Sequence, residues 1–321
     1  MCDQSTFRPN VTNVTRLKDF VLTGIEGPQS LKLSLLFVLL ILYIMTICGN
    51  LVIIILFLKS QYLNSPLYLF LSNLSLCDIL LSTSVVPNLL YTLLRGRQTM
   101  SLIGCIIQMS AIGLSTGAEC ILLTVMSYDR YLAICNPLHY ITIMTPRLCS
   151  SLVLGSWLIC LLFLLIIIIV ILNLEFCGCN VIDYIYFDIP PLFEISCKNR
   201  SHLQISTLVM SVPTILFPFL FIMVTYVNIF LTIFQIPSNT GRKKAFSTCS
   251  SHLTVVCTYF GVLTSKYIVP LKGGSLKINK IISLLYTGVT PLLNAVIYSL
   301  RSKEIRAAAT KLFKGRRRDF W

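Results

Sequence analysis

Seven stretches of the chain, residues 33–58, 67–94, 102–125, 148–172, 203–234, 245–269 and 281–300, are mostly apolar. Each is near or above the 20 or so residues that a helix needs to cross the hydrocarbon of a bilayer. Strands of a membrane barrel would alternate apolar and polar residues over about ten positions. The pattern therefore predicts an all-α membrane protein, a bundle of seven transmembrane helices whose backbone groups are satisfied within each segment.

Little chain is left for anything else. The division predicted is an N-terminal segment (1–30), the bundle (31–300) and a basic tail (301–321). No apolar core follows a basic start before Ser30, so the first span is expected to serve as the insertion signal. The loops are short and no internal repeat is visible, which weighs against a transporter built from duplicated halves.

Composition agrees: of 321 residues, 55% are hydrophobic and 12% charged, more apolar than a soluble domain can bury. Charge sets the orientation. Arg242, Lys243 and Lys244 precede the sixth stretch, and Arg301, Lys303, Arg306, Lys311, Lys314, Arg316, Arg317 and Arg318 follow the seventh. Both groups read as cytoplasmic. Seven crossings then put the N-terminus outside, where Asn10 and Asn13 stand in glycosylation sequons. Arg95, Arg97, Lys272, Lys277 and Lys280 fall in outer loops against the rule. The net charge of +14 points to anionic membrane lipid and a cytoplasmic partner, not nucleic acid.

An ionisable side chain inside a span costs about 2.5–3.5 kcal/mol at mid-depth and marks a functional candidate. Asp78 in the second span and Glu119 in the third qualify, with Asn50 in the first and Asn294 in the seventh at comparable depth. They predict a shared polar cluster. One reading is a switch that holds a cation, sodium between Asp78 and Glu119 being the one candidate cofactor, or shares a proton. The other is a static knot of hydrogen bonds that helps the helices associate. Asp129 and Arg130 end the third span, placed to form an ion pair or to let Arg130 snorkel to the interface.

The chain resembles the olfactory receptors, a branch of the rhodopsin-like G-protein-coupled receptors. The resemblance rests on MSYDRYLAICNPLHY (126–140), Gly49-Asn50, SPLYLFLSNLSLCD (65–78), KAFSTCSSHL (244–253) and PLLNAVIYSLR (291–301), in order and in the expected spans. It implies that Asp129 holds Arg130 at rest, with Tyr131 completing the triplet. Arg130 is freed when the sixth helix swings outward to admit a stimulatory, olfactory-type heterotrimeric G protein that raises cyclic AMP. Lys243 and Lys244 would line that moving end, and Tyr226 and Tyr298 would turn toward Arg130. Asn294 belongs to the same switch. The tail from 302 to 314 would lie on the inner leaflet as a short amphipathic helix, Leu312 and Phe313 toward lipid.

For the ligand the resemblance implies Met109, Ile112, Gly113, Thr116 and Gly117, then Met210, Ser211 and Thr214, then Leu263, Thr264 and Tyr267. That set suits a small volatile, lipophilic, uncharged molecule. Lys266 is expected to snorkel, or to meet an acidic odorant.

Of thirteen cysteines, Cys105, Cys177, Cys179 and Cys197 face the oxidising exterior, and four allow three pairings. Family members link the third helix to a mid-loop cysteine whose place here is taken by Phe187. The resemblance then implies Cys105 with Cys179 and Cys177 with Cys197. Ala295 also departs from the family, which has proline after the asparagine; the seventh helix should be straighter there, with Pro291 taking over the bend.

Other function classes fit less well. An ion channel or transporter using Asp78 and Glu119 lacks a charged series along a pore. A receptor for a non-odorant metabolite would use the same fold. No His-Glu-x-x-His is present, and His139, His202 and His252 are ungrouped, so no enzyme is expected. The Cys-Gly-Cys spacing makes a poor zinc site.

Overall fold

The computed structural model describes residues 19–59, 65–176, 180–198, 200–268, 274–301, 305–308 and 310. Four crossings are single helices: α1 (Gln29–Lys59), α2 (Pro66–Arg95), α3 (Leu102–Cys135) and α5 (Pro146–Leu172). Short helices α4 (Pro137–Ile143) and α6 (Ile189–Ile195) lie in loops. The fifth crossing joins α7 (Arg200–Ser211) to α8 (Phe217–Gln235), the sixth is α9 (Asn239–Ile268), and the seventh joins α10 (Gly274–Leu284) to α11 (Thr290–Arg301).

Six of these crossings are long and apolar enough to span a membrane on their own. The sixth, α9, has the length at 30 residues, but its first half carries Arg242, Lys243, Ser247, Ser250 and His252. It completes the seven predicted spans, starting at Asn239, earlier than its apolar stretch.

Helix ends follow local chemistry. Pro66, Pro137 and Pro146 sit in first turns, where no partner for a backbone N–H is needed. The hydroxyls of Ser101 and Thr145 accept from the N–H of Gly104 (3.2 Å) and Leu148 (3.3 Å). Gly96 closes α2 at φ 80°, a left-handed conformation that favours glycine. The fifth and seventh crossings each widen into a π turn, Val212–Leu216 and Leu285–Val289. One contains Pro213 and the other ends two residues before Pro291, and a proline ring displaces the carbonyl four residues back. The irregularity of the seventh crossing thus lies ahead of Pro291, while α11 runs through Ala295 as regular helix.

The burial pattern is that of a membrane bundle. About 61% of the most apolar part of α2 and of α3 is buried, against 22% for α1 and α5, so α2 and α3 form the centre. Phe37, Ile41 and Ile44 of α1 point outward while Thr46 and Asn50 point in. Lipid solvates the apolar face, and the polar groups find partners inside.

The outer surface carries strands that the sequence did not predict. β1 (Asp19–Leu22) pairs antiparallel with β2 (Gln98–Ser101) and parallel with β4 (Val181–Ile182), and β3 (Glu175–Phe176) pairs with β5 (Ser196–Lys198). Phe20 of β1 is fully buried against Phe176 and Phe187, with ring centroids 5.3 and 5.4 Å away. The Phe187 N–H donates to Gln108 Oε1 of α3 at 2.8 Å. An aromatic plug and a hydrogen bond thus join the outer loop to the third helix at the position where the family carries its cysteine. Cys105 is a buried free thiol. Cys177, Cys179, the Cys197 side chain, Asn10, Asn13, Leu312 and Phe313 lie outside the described residues, as do the pairings and sequons predicted there. Of the tail, residues 305–308 are helical, with Ile305 and Ala308 buried.

Candidate ligand cavity and coupling site

A cavity of about 710 Å³ opens between α3, α5, the fifth crossing, α9 and the start of α6. Its walls include all of Met109, Ile112, Gly113, Thr116, Gly117, Met210, Ser211, Thr214, Leu263, Thr264 and Tyr267. These positions converge because α3 presents residues at helical spacing toward the facing fifth and sixth crossings. Gly117 brings α3 close to α5, since an added Cβ would stand 2.9 Å from Cys160 Sγ. Gly113 leaves space, with no heavy atom within 4 Å of such a Cβ. Sequence reasoning missed the α5 wall (Cys160, Phe163, Leu164, Ile167), because an evenly apolar span gives no sign of its inward face.

It also missed Asp188, which lines the cavity. Lys266 does not snorkel: it is 4% exposed, its Nζ 2.6 Å from Asp188 Oδ2. The rings of Tyr186, Tyr267 and Tyr286 surround the ammonium at 5.2, 5.3 and 5.2 Å. Asp188 Oδ1 accepts from the Ile189 N–H at 2.8 Å, starting α6. Alongside, Asn279 of α10 donates to the Lys266 carbonyl (2.8 Å), and Tyr184 reaches Asn279 and Ser283 at 2.5 and 2.6 Å. A second pair, Lys280 Nζ to Asp183 Oδ1 at 2.6 Å, joins α10 to the outer loop, and Thr23 donates to the same oxygen. Partial burial raises the Asp183 pKa, but the bonds from Lys280 and Thr23 outweigh it and hold the carboxyl below its usual range.

Thr116 joins the cavity to the membrane interior. Its hydroxyl lies 2.6 Å from that of Tyr286, and Tyr259 donates to its carbonyl at 3.0 Å. One turn below, Asn294 Nδ2 donates to Asp78 Oδ1 (3.0 Å) and Glu119 Oε1 (2.8 Å). Both acids are 1% exposed. Asn50, the fourth predicted member, instead donates to the carbonyls of Thr46 (3.0 Å) and Pro291 (3.4 Å).

At the inner end Asp129 is fully buried, and its Oδ2 accepts from Arg130 Nε at 2.9 Å and from Nη2. Arg130 is therefore held by its neighbour and does not merely snorkel. Tyr140 of α4 donates to Asp129 Oδ1 at 2.8 Å. Burial first, and then the Asp129 charge, raise the Tyr140 pKa, so its proton stays on the hydroxyl. Tyr131 is half-buried, and the buried Tyr298 hydroxyl has no hydrogen-bond partner among the described residues. Tyr226 faces α9, 2.7 Å from His252 Nδ1. His252, ungrouped in the sequence, is thus a buried partner of Tyr226. Lys243 is exposed, and the Lys244 side chain lies outside the described residues.

A ligand-sized cavity at one end of a heptahelical bundle and a clamped arginine at the other define a rhodopsin-like receptor. Squid rhodopsin has the same fold at a TM-score of 0.70, with 18% identity over 90% of this chain and 87% of that one. The family model for olfactory receptors matches residues 39–316. Human olfactory receptor 10Z1 is 40% identical, covering 95% of this chain and 97% of its own length. Human olfactory receptor 2G6 is 41% identical over 95% and 96%. Chimpanzee olfactory receptor 1A1 is 40% identical over 95% and 98%. The chain belongs to the olfactory receptor family. It is a multi-pass plasma-membrane receptor for odorants, not an enzyme, and the family implies a small ligand and a G-protein partner.

Proposed function

We propose that a small, lipophilic, volatile molecule binds among the eleven predicted cavity positions and that the receptor then activates a stimulatory G protein, raising cyclic AMP. The observation that carries this is a linkage from the cavity into the membrane interior: Thr116 lines the cavity, and Glu119, one turn along the same helix, is joined through Asn294 to Asp78. A ligand acts by favouring the state in which this linkage rearranges and Arg130 leaves Asp129. Lys243 and Lys244 then face the G protein, while the basic tail contacts anionic lipid.

The Asp78 and Glu119 pair fits a sodium ion or a shared proton. Among the described residues, Asp78 Oδ2 and Glu119 Oε2 are buried without a hydrogen-bond donor, and Asn294 serves only the other oxygen of each. Dependence of basal signal on external sodium, abolished by Glu119→Gln, tests the ion.

The function is tested with a cyclic AMP reporter in cells expressing the full chain, screened against a broad library of volatiles beside an Arg130→Ala control. The expected result is a response to some members that the control loses. A response unchanged in the control would overturn the coupling route.

A further inference from the structure

The hydroxyls in the cavity wall have largely used their protons. Thr207, Ser211 and Thr214 donate to the carbonyls of Leu203, Leu208 and Met210 at 2.8, 2.8 and 2.6 Å. Thr116 Oγ1 has both the Ile112 carbonyl (2.7 Å) and the Tyr286 hydroxyl (2.6 Å) within reach. A hydroxyl has one proton and two lone pairs, so these groups offer acceptors to a ligand. Asp188 adds a stronger one. An ionised carboxylate has about four accepting positions, and the Ile189 N–H and Lys266 occupy two.

Charge narrows the choice further. Lys266 already balances Asp188 and is not among the side chains that line the cavity. An ammonium ligand would meet that carboxylate with a second cation behind it. A carboxylate ligand would meet Asp188 itself. The remaining donors in the wall, Thr264, Tyr267 and Gln204, are neutral. Hydrogen bonds to an ionised group are about twice as strong as those between neutral groups, so the accepting carboxylate decides.

Building on the proposed use of this cavity for the odorant, we infer that the receptor selects neutral ligands bearing a hydrogen-bond donor, alcohols and phenols, with Asp188 as the accepting residue. Ethers, ketones and esters of the same skeleton fill the cavity equally well but leave that acceptor unmatched. Amines and carboxylic acids are disfavoured by charge.

The test uses the cyclic AMP reporter and matched sets on several carbon skeletons, each comprising an alcohol, its methyl ether, the ketone, the amine and the acid. Alcohols are expected to act at concentrations about ten- to a hundredfold lower than the ethers, the range set by one hydrogen bond to a charged group. In the variant Asp188→Leu with Lys266→Met, which leaves neither a lone buried charge nor a side-chain acceptor at position 188, the ratio should fall below about threefold. Equal potency of ethers and alcohols on the native receptor overturns the inference without any variant, and so does a preference that survives the double substitution. Gly113→Trp, which fills the cavity, separates this from the underlying reading. If responses persist after it, or if no compound acts on cells with surface receptor, the cavity is not the ligand site and both fall.

Discussion

The Tyr140 hydroxyl donates a 2.8 Å hydrogen bond to Asp129, the carboxylate whose other oxygen holds Arg130. The loop helix α4 therefore helps to hold the carboxylate that binds Arg130. Tyr140→Phe would leave Asp129 Oδ1 buried and unpartnered at a cost of about 1–3 kcal/mol. Part of that falls on the resting state alone, so ligand-independent cyclic AMP should rise about two- to tenfold. Basal signal equal to the native level at matched surface expression would remove α4 from the clamp.

Asn294 is the donor shared by Asp78 and Glu119. Asn294→Leu should lower surface expression and thermal stability sharply, since each buried carboxylate oxygen left without a donor costs about 1–3 kcal/mol or more. Adding Asp78→Asn and Glu119→Gln should recover much of the loss, because the buried acids are then gone. If the triple variant is no better than the single, the asparagine acts by packing instead.

Gly113 lines the cavity and faces open space. Gly113→Val should leave surface expression near native and shorten the largest ligand tolerated within any active series. A dose-response series of increasing chain length measures this. Unchanged size tolerance would place the ligand elsewhere.

The ion pair of Asp183 with Lys280 predicts an acid dependence. The Asp183 pKa is lowered in the folded protein, so its contribution is complete above the unfolded value of about 3.9 and is lost as pH falls through the lower, folded value. Asp183 is about half exposed at 49%, so solvent screens the effect and it will be small. Protection factors at β4 in detergent, the intrinsic hydrogen-exchange rate divided by the observed rate at each pH, should be flat from pH 5 to 7 and fall only near or below pH 4. Asp183→Asn should speed exchange at neutral pH and remove the acid step; a step centred near pH 6 would indicate a histidine instead.

Ala295 lies in regular helix and its Cβ packs near Gly49 of α1. Ala295→Pro, the usual residue of the family, would remove a backbone donor and push against the Pro291 carbonyl, at a cost of up to about 3 kcal/mol. Lower thermal stability in detergent is the expected result. An increase would mean that the helix is already bent to receive the ring.

The seven crossings were legible because burying or exposing twenty consecutive apolar residues has one solution in a bilayer, and composition alone carries that signal. Asp78, Glu119, Asn294, Asp129 and Arg130 were legible for the converse reason: a polar group in an apolar run is costly enough to stand out. The cavity positions on α3, the fifth crossing and α9 came from resemblance, and the spans' own periodicity does not reveal them. Cys160 and Phe163 show why, since α5 is apolar on every side and lipid-facing and cavity-facing residues look alike.

What the sequence determined, then, was the number of crossings, their orientation and the family to which the chain belongs, all properties of segments taken one at a time. Only the tertiary structure decided that Lys266 pairs with Asp188, 78 residues away, that Tyr226 meets His252, and that Phe187, standing where relatives carry a cysteine, packs with Phe20. Hydropathy records whether a side chain can leave water. Which partner compensates it depends on helices and loops brought together by folding, and no local pattern encodes that pairing.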